Sequence, residues 1–129
     1  DYRNSHNPYV QRQGIFVEEI GPGYARVTKT VVPEDANPLG VPHGGVYFTM
    51  ADTACGSAMA SYGYKAVTMN AGYNFFRSAN VGDRLTAEAR EVKHGQTVCV
   101  FEVRITEQSG TLLGTGTFTF DSLSEKLEI

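Results

Sequence analysis

The sequence predicts an α+β domain in which an antiparallel sheet wraps one long helix. Three observations carry that reading. One stretch, Gly44 to about Tyr62, repeats apolar residues at the three-and-four spacing of a buried helical stripe. Everything after it alternates apolar and polar residues with the period of two that marks a strand. The order is two strands, the helix, then three or four longer strands, with no internal repeat and no domain boundary.

The elements follow in order. Ile15 to Ile20 reads as a first strand, closed by the turn Gly21-Pro22-Gly23. Tyr24 to Val32 reads as a second, with Ala25, Val27, Lys29 and Val31 on one face. Between Pro33 and Pro42 three prolines and a glycine force an irregular loop. The helix carries Tyr47, Met50, Ala51, Ala54, Cys55, Ala58 and Met59 on its apolar side. The opposite positions, Thr49, Asp52, Thr53, Gly56, Ser57 and Ser61, are small or polar, so the helix is expected to lie close against its neighbours rather than in solvent. Val67, Met69, Ala71, Tyr73 and Phe75 alternate along the next strand. Leu85, Ala87 and Ala89 follow the Val81-Gly82-Asp83 turn. Cys99, Phe101, Val103 and Ile105 follow the turn at His94-Gly95-Gln96, and Leu112 to Phe120 is the last strand. Residues 1–129 are expected to form a single domain, with the charged tail 121–129 loosely held.

Composition narrows the function. A length of 129 residues suits one domain, and 41% hydrophobic with 19% charged residues is the range of folded chains. The net charge of −3 and the scattered Lys and Arg argue against nucleic acid or a membrane as partner. No apolar run is long enough to cross a bilayer, and Asp1 to Gln13 contains no signal-peptide core. Cys55 and Cys99, far apart in apolar stretches, read as structural free thiols of a cytoplasmic protein. His6, His43 and His94 lack ligand-like spacing, so no metal is expected.

The chemistry-bearing feature is Asn37-Pro38-Leu39-Gly40-Val41-Pro42-His43-Gly44-Gly45, followed in the helix by Asp52. Two glycines at a helix start let a ligand approach N–H groups that have no intrahelical partner. Those groups, with the positive end of the helix dipole, suit an anion or a developing oxyanion. Asp52 lies about two turns on, roughly 10 Å or more along the axis. Pairing two such helices across a two-fold axis would bring one chain's Asp52 beside the other's Gly44-Gly45, which makes a dimer part of the expected mechanism.

His43-Gly44-Gly45, six intervening residues and Asp52-Thr53-Ala54, preceded by Asn37, resemble the PaaI-like branch of the hotdog-fold acyl-CoA thioesterases. The resemblance runs from about Val10 to Phe120 and takes in Tyr73 to Asp83 and Gly114-Thr115-Gly116. It implies a homodimer with a continuous sheet, paired again into a tetramer, that hydrolyses acyl-CoA at the dimer interface. It also implies roles: Asp52 as catalytic carboxylate, Gly44 and Gly45 as the carbonyl-polarising turn beside His43, Asn37 as an upstream positioning residue, and Thr68 as a hydroxyl near the attacking water. CoA is then the leaving group of the substrate, and no retained cofactor is expected. Arg77-Ser78-Ala79 departs from the relatives, which commonly carry a proline there. Arg77 is a candidate contact to the CoA phosphates, as are Lys93, His94, Gly95 and Gln96.

Asp52 acts either as nucleophile, through an anhydride, or as general base on water; its short side chain favours the base. Two other activities fit parts of the pattern. A hotdog dehydratase or hydratase would use a His and a carboxylate, but its His must reach the substrate's α or β carbon. A non-catalytic acyl-CoA-binding domain has no need of Asp52 beside a complete His-Gly-Gly turn.

Overall fold

The computed structural model describes residues 2–128. Its elements are α1 (Tyr2–Ser5), α2 (Pro8–Arg12), β1 (Phe16–Gly21), β2 (Tyr24–Thr30), a short 3-10 turn (Pro33–Asp35), α3 (Gly44–Ala60), β3 (Tyr64–Phe75), β4 (Arg84–His94), β5 (Val98–Glu107) and β6 (Leu112–Lys126). The six strands form one antiparallel sheet in the order β1-β2-β4-β5-β6-β3. This sheet curls around α3, which contacts all six strands. It is the α+β arrangement read from the sequence.

The core sits between the helix and the inner face of the sheet. The whole apolar stripe of α3 is buried, and Thr53 and Ser57 are buried with it. The small side chains among them, Ala51, Ala54, Ser57 and Ala58, let the helix approach the strands closely. Opposite it, Leu85, Ala87 and Ala89 of β4, Phe101, Val103 and Ile105 of β5, and Phe118 of β6 are fully or almost fully inaccessible. Burying each larger side chain of this set stabilises the fold by about 1.5–3 kcal/mol. Gly114 belongs to the same close packing: a Cβ there would overlap the Asn74 carbonyl and the Tyr73 hydroxyl of the neighbouring strand.

Three details differ from the sequence reading. The last strand does not stop at Phe120 but continues through Lys126, so most of the segment expected to be loose is paired. The cause lies in β3, which begins at Tyr64 and offers its backbone to Asp121, Ser122 and Lys126. The helix ends at Ala60, two residues early, where Gly63 (φ +85°) supplies a left-handed turn. The polar leader, where the sequence reading places no element, forms α1 and α2, and the Asn4 amide ties α1 down. Its Nδ2 donates to the Val17 carbonyl at 2.9 Å and its Oδ1 accepts from the Val17 N–H at 2.8 Å.

The two edges of the sheet differ accordingly. β1 is short and acidic, is bulged between Val17 and Glu19, and is engaged by Asn4. β3 is 12 residues long and its outer edge is open. It exposes Val67, Met69 and Phe75 by 50–57%. Among the described residues no helix is long and apolar enough to cross a membrane.

Candidate active site

The loop before α3 is held by a buried ion pair. Lys29, on the inner face of β2, reaches Asp35 at 2.9 Å with both side chains almost fully buried, and also donates to the Gln13 carbonyl. Asp35 in turn accepts from the Val32 N–H, and its carbonyl accepts from the His43 N–H at 2.8 Å. The site's entry strand and the helix start are thereby fixed to one buried charge. Asn37 closes the intervening turn: its Oδ1 accepts from the N–H groups of Leu39 and Val41. That leaves its Nδ2 as a donor without a protein acceptor among the described residues.

His43 is the N-cap of α3. Its Nδ1 accepts from the Gly45 N–H at 2.9 Å, so the neutral ring carries its proton on Nε2. The Val46 N–H is used by the His43 carbonyl. Among the described residues the Gly44 N–H therefore remains an open donor of the turn. The edge of the Phe75 ring covers this residue, 3.5 Å from where a Gly44 Cβ would stand. Phe75 packs edge-on against Tyr47 and Tyr73, and the Tyr47 hydroxyl accepts from the Ala79 N–H.

Asp52 stands two turns further along α3, in a cleft of about 600 Å3. The Thr68 hydroxyl donates to its Oδ1 at 3.1 Å. A bulge in β3 between Thr68 and Asn70 sets this contact, because an extra residue on one strand re-aims the side chains beside it. The same bulge breaks the regular alternation expected of β3 and leaves Val67 and Met69 outside the core. Burial raises the carboxyl of Asp52 above the ordinary carboxylate range, while the Thr68 hydrogen bond and the charge of Arg3 pull it back. Such a group is a better base than a solvated carboxylate. Cys55, one turn from Asp52's face and buried, has its thiol pushed up by burial and by the Asp52 charge, which leaves it a neutral packing group.

The remaining sequence candidates do not converge in one chain. Arg77 follows β3 at the His-Gly-Gly end, with its N–H on the Leu113 carbonyl and its side chain exposed. Lys93, His94, Gly95 and Gln96 lie beyond the other end of α3, where His94 stacks on Tyr62 at 3.6 Å. Gly95 closes the β4–β5 turn, donating to Val98 and accepting from the Cys99 thiol. A helix of 17 residues, about 25 Å long, separates the two groups. Arg3 is the residue that sequence reading missed: it lines the Asp52 cleft from α1. The only signal for it was one cation in a polar leader that also carries Asp1 and Arg12, which is too common to single out. Among the described residues no cluster of His, Cys, Asp and Glu could hold a metal ion.

The profile of the thioesterase superfamily matches residues 39–113, from the His-Gly-Gly loop to the start of β6. The chain belongs to the thioesterase superfamily. Within it, the chain is a homologue of PaaI: it is 33% identical to the acyl-coenzyme A thioesterase PaaI of Escherichia coli over 83% of its own length and 80% of that protein's. The solved structure of E. coli PaaI, from the phenylacetic acid degradation operon, superposes with a TM-score of 0.90, covering 98% of this chain and 96% of that one at 28% identity. A Streptococcus mutans protein solved with acetyl-CoA bound is 31% identical, with a TM-score of 0.84 over 88% of this chain and 91% of that one. The wrapped helix and six-stranded sheet are thus the hotdog fold of this superfamily, and by family the chain is a thioester hydrolase.

Proposed function

We propose that this thioesterase hydrolyses acyl-CoA to the free acid and CoA in a site shared by two protomers, with Asp52 as general base. The observation that carries the reading is Asp52 itself, a half-buried carboxylate at the floor of a cleft, oriented by Thr68 and without a salt bridge among the described residues. A carboxylate in that setting is basic and aimed. The acetyl-CoA complex of the S. mutans relative supports the substrate class.

The open edge of β3 supports the shared site. A long, exposed, apolar strand edge is a template for pairing with another chain. Two copies joined along β3 by a two-fold axis continue the sheet and bring one protomer's helix start toward the other's Asp52. A second pairing makes the tetramer.

In this mechanism the Gly44 N–H, helped by the helix dipole and the Asn37 Nδ2, polarises the thioester carbonyl. A water bonded to Asp52 and Thr68 attacks the carbonyl carbon and passes its proton to Asp52. The C–S bond then breaks, and the proton returns to the departing CoA thiolate. CoA leaves as product, and no retained cofactor takes part. Arg77 of one protomer and Lys93 to Gln96 of another are the candidate contacts for its phosphates. His43 is committed through Nδ1 to capping the helix, which disfavours a dehydratase or hydratase role in which it would abstract a proton.

The test is thiol release across a panel of acyl-CoAs, with an enoyl-CoA included. Thiol release supports hydrolysis. Hydration of the enoyl-CoA without thiol release, or binding without turnover, overturns it.

A further inference from the structure

The Asp52 cleft contains a second charge that the mechanism does not use. Arg3 enters from α1, its guanidinium lying over Gly56, where a Cβ would stand 3.7 Å from Nη2. Its Nε is buried without a hydrogen-bond partner among the described residues. It forms no ion pair among the described residues, although Glu18 and Glu19 of β1 line the same surface hollow. Those carboxylates are engaged elsewhere: Glu18 with Arg26 and Arg84, Glu19 with Arg26. Lys65, the other cation lining the cleft, is paired with Glu125 at 2.8 Å. Nor is Arg3 there by accident of a loose terminus, since Asn4 locks the next residue to both backbone groups of Val17.

A half-buried guanidinium with unused donors is matched by a planar anion that accepts two parallel hydrogen bonds. Gly56 follows Asp52 by one helical turn, so the guanidinium stands about 6 Å further along the axis than the catalytic carboxylate. The cleft is lined by apolar side chains, among them Val10, Phe48, Met59 and Phe120, with the uncharged Thr49, Thr53 and Thr68 beside them. A group that reaches Arg3 while its carbonyl is at Asp52 is short, aliphatic in the middle and anionic at the far end. The phosphates of CoA do not fit this description, because the uncharged pantetheine arm holds them far from the sulfur.

We propose that Arg3 is a specificity residue that selects acyl-CoA substrates whose acyl group ends in a carboxylate, a dicarboxylic acyl chain of about four to six carbons. This rests on the hydrolytic reading above and adds the acyl class to it. The carboxylate is taken by the Arg3 guanidinium, whose charge also offsets the repulsion between that anion and Asp52.

The experiment compares kcat/KM for glutaryl-CoA and for pentanoyl-CoA, which has the same chain length without the charge. Charge-assisted pairs lead one to expect a preference for glutaryl-CoA of roughly 10- to 100-fold. Arg3→Met should bring the ratio to about one or below it, and Arg3→Lys should keep part of the preference. Equal use of the two thioesters by the unaltered enzyme, or an Arg3→Met variant that keeps the ratio, overturns the proposal and leaves hydrolysis standing. Calorimetric titration of the Asp52→Asn variant with both thioesters reads binding without turnover. Tighter binding of glutaryl-CoA that is lost with Arg3→Met supports the site even if no acyl-CoA is hydrolysed; equal affinities overturn it.

Discussion

The Thr68 hydroxyl donates to Oδ1 of Asp52 at 3.1 Å, joining a strand and a helix 16 residues apart in the chain. This bond favours the ionised carboxylate, whereas burial disfavours it, and burial is the larger effect. The base is therefore expected to titrate above the ordinary carboxylate range, with activity lost as pH falls through that raised value. Thr68→Val removes one of the two influences holding the value down. The acid limb of kcat/KM should move to higher pH and kcat should fall roughly 10- to 100-fold, the worth of a hydrogen bond to a charged group. Thr68→Ser should restore both. An acid limb that does not move in Thr68→Val would show that the hydroxyl does not act on Asp52.

Gly44→Pro tests the polarising N–H. Gly44 is the first residue of α3, a position where proline is favoured, and His43 has the extended backbone that must precede one (φ −59°, ψ 144°). The fold should persist while the open N–H disappears. Loss of one oxyanion donor costs about 100- to 1,000-fold in kcat. Gly44→Ala keeps the N–H, and its Cβ makes only ordinary contact with Phe75. Equal losses in the two variants would point to crowding rather than to a lost donor.

The assembly is tested on β3. Val67 and Met69 are exposed on the open edge strand. Replacing both with aspartate places four carboxylates across a two-fold seam. Light scattering should then show monomers, and thioesterase activity should vanish with the dimer. An active monomer would contradict the shared site.

The sequence made the architecture legible because each signal was local. The three-and-four stripe of α3 marks its buried face, and the alternation in β4 and β5 marks theirs. The constellation of Asn37, Gly44, Gly45 and Asp52 was legible as a spaced motif. What it did not reveal depends on partners distant in the chain. Residues 121–126 look like a charged tail until Tyr64 and its neighbours offer a backbone to pair with. The bulge that aims Thr68 leaves no mark in an alternating sequence. Lys29 alternates with apolar residues as if it pointed inward, and only the structure supplies Asp35 to neutralise it. Arg3 enters the cleft through Asn4, a side chain that pairs with β1 much as a strand would.

The Lys29–Asp35 pair should be costly to break. Lys29→Met leaves a buried carboxylate without its cation, which typically destabilises by about 3–5 kcal/mol. Thermal unfolding should occur at a clearly lower temperature. Lys29→Met with Asp35→Asn should recover part of the loss, as removing both charges is milder than stranding one. A single variant as stable as the unaltered protein would mean that the pair does not anchor the loop.

The most direct measurement is the kinetics of Asp52→Asn, which keeps the shape of the side chain and removes its charge. A positioned general base contributes about a hundred- to ten-thousand-fold, so kcat on acyl-CoA should fall by that order while KM moves much less. Stability should move the other way. The folded chain holds the Asp52 proton to a higher pH than the unfolded chain does, so above the ordinary carboxylate value its ionisation works against folding. At neutral pH the variant should melt at a higher temperature than the parent. A folded, dimeric Asp52→Asn protein that keeps most of its thioesterase rate would contradict the assignment of Asp52 as the base.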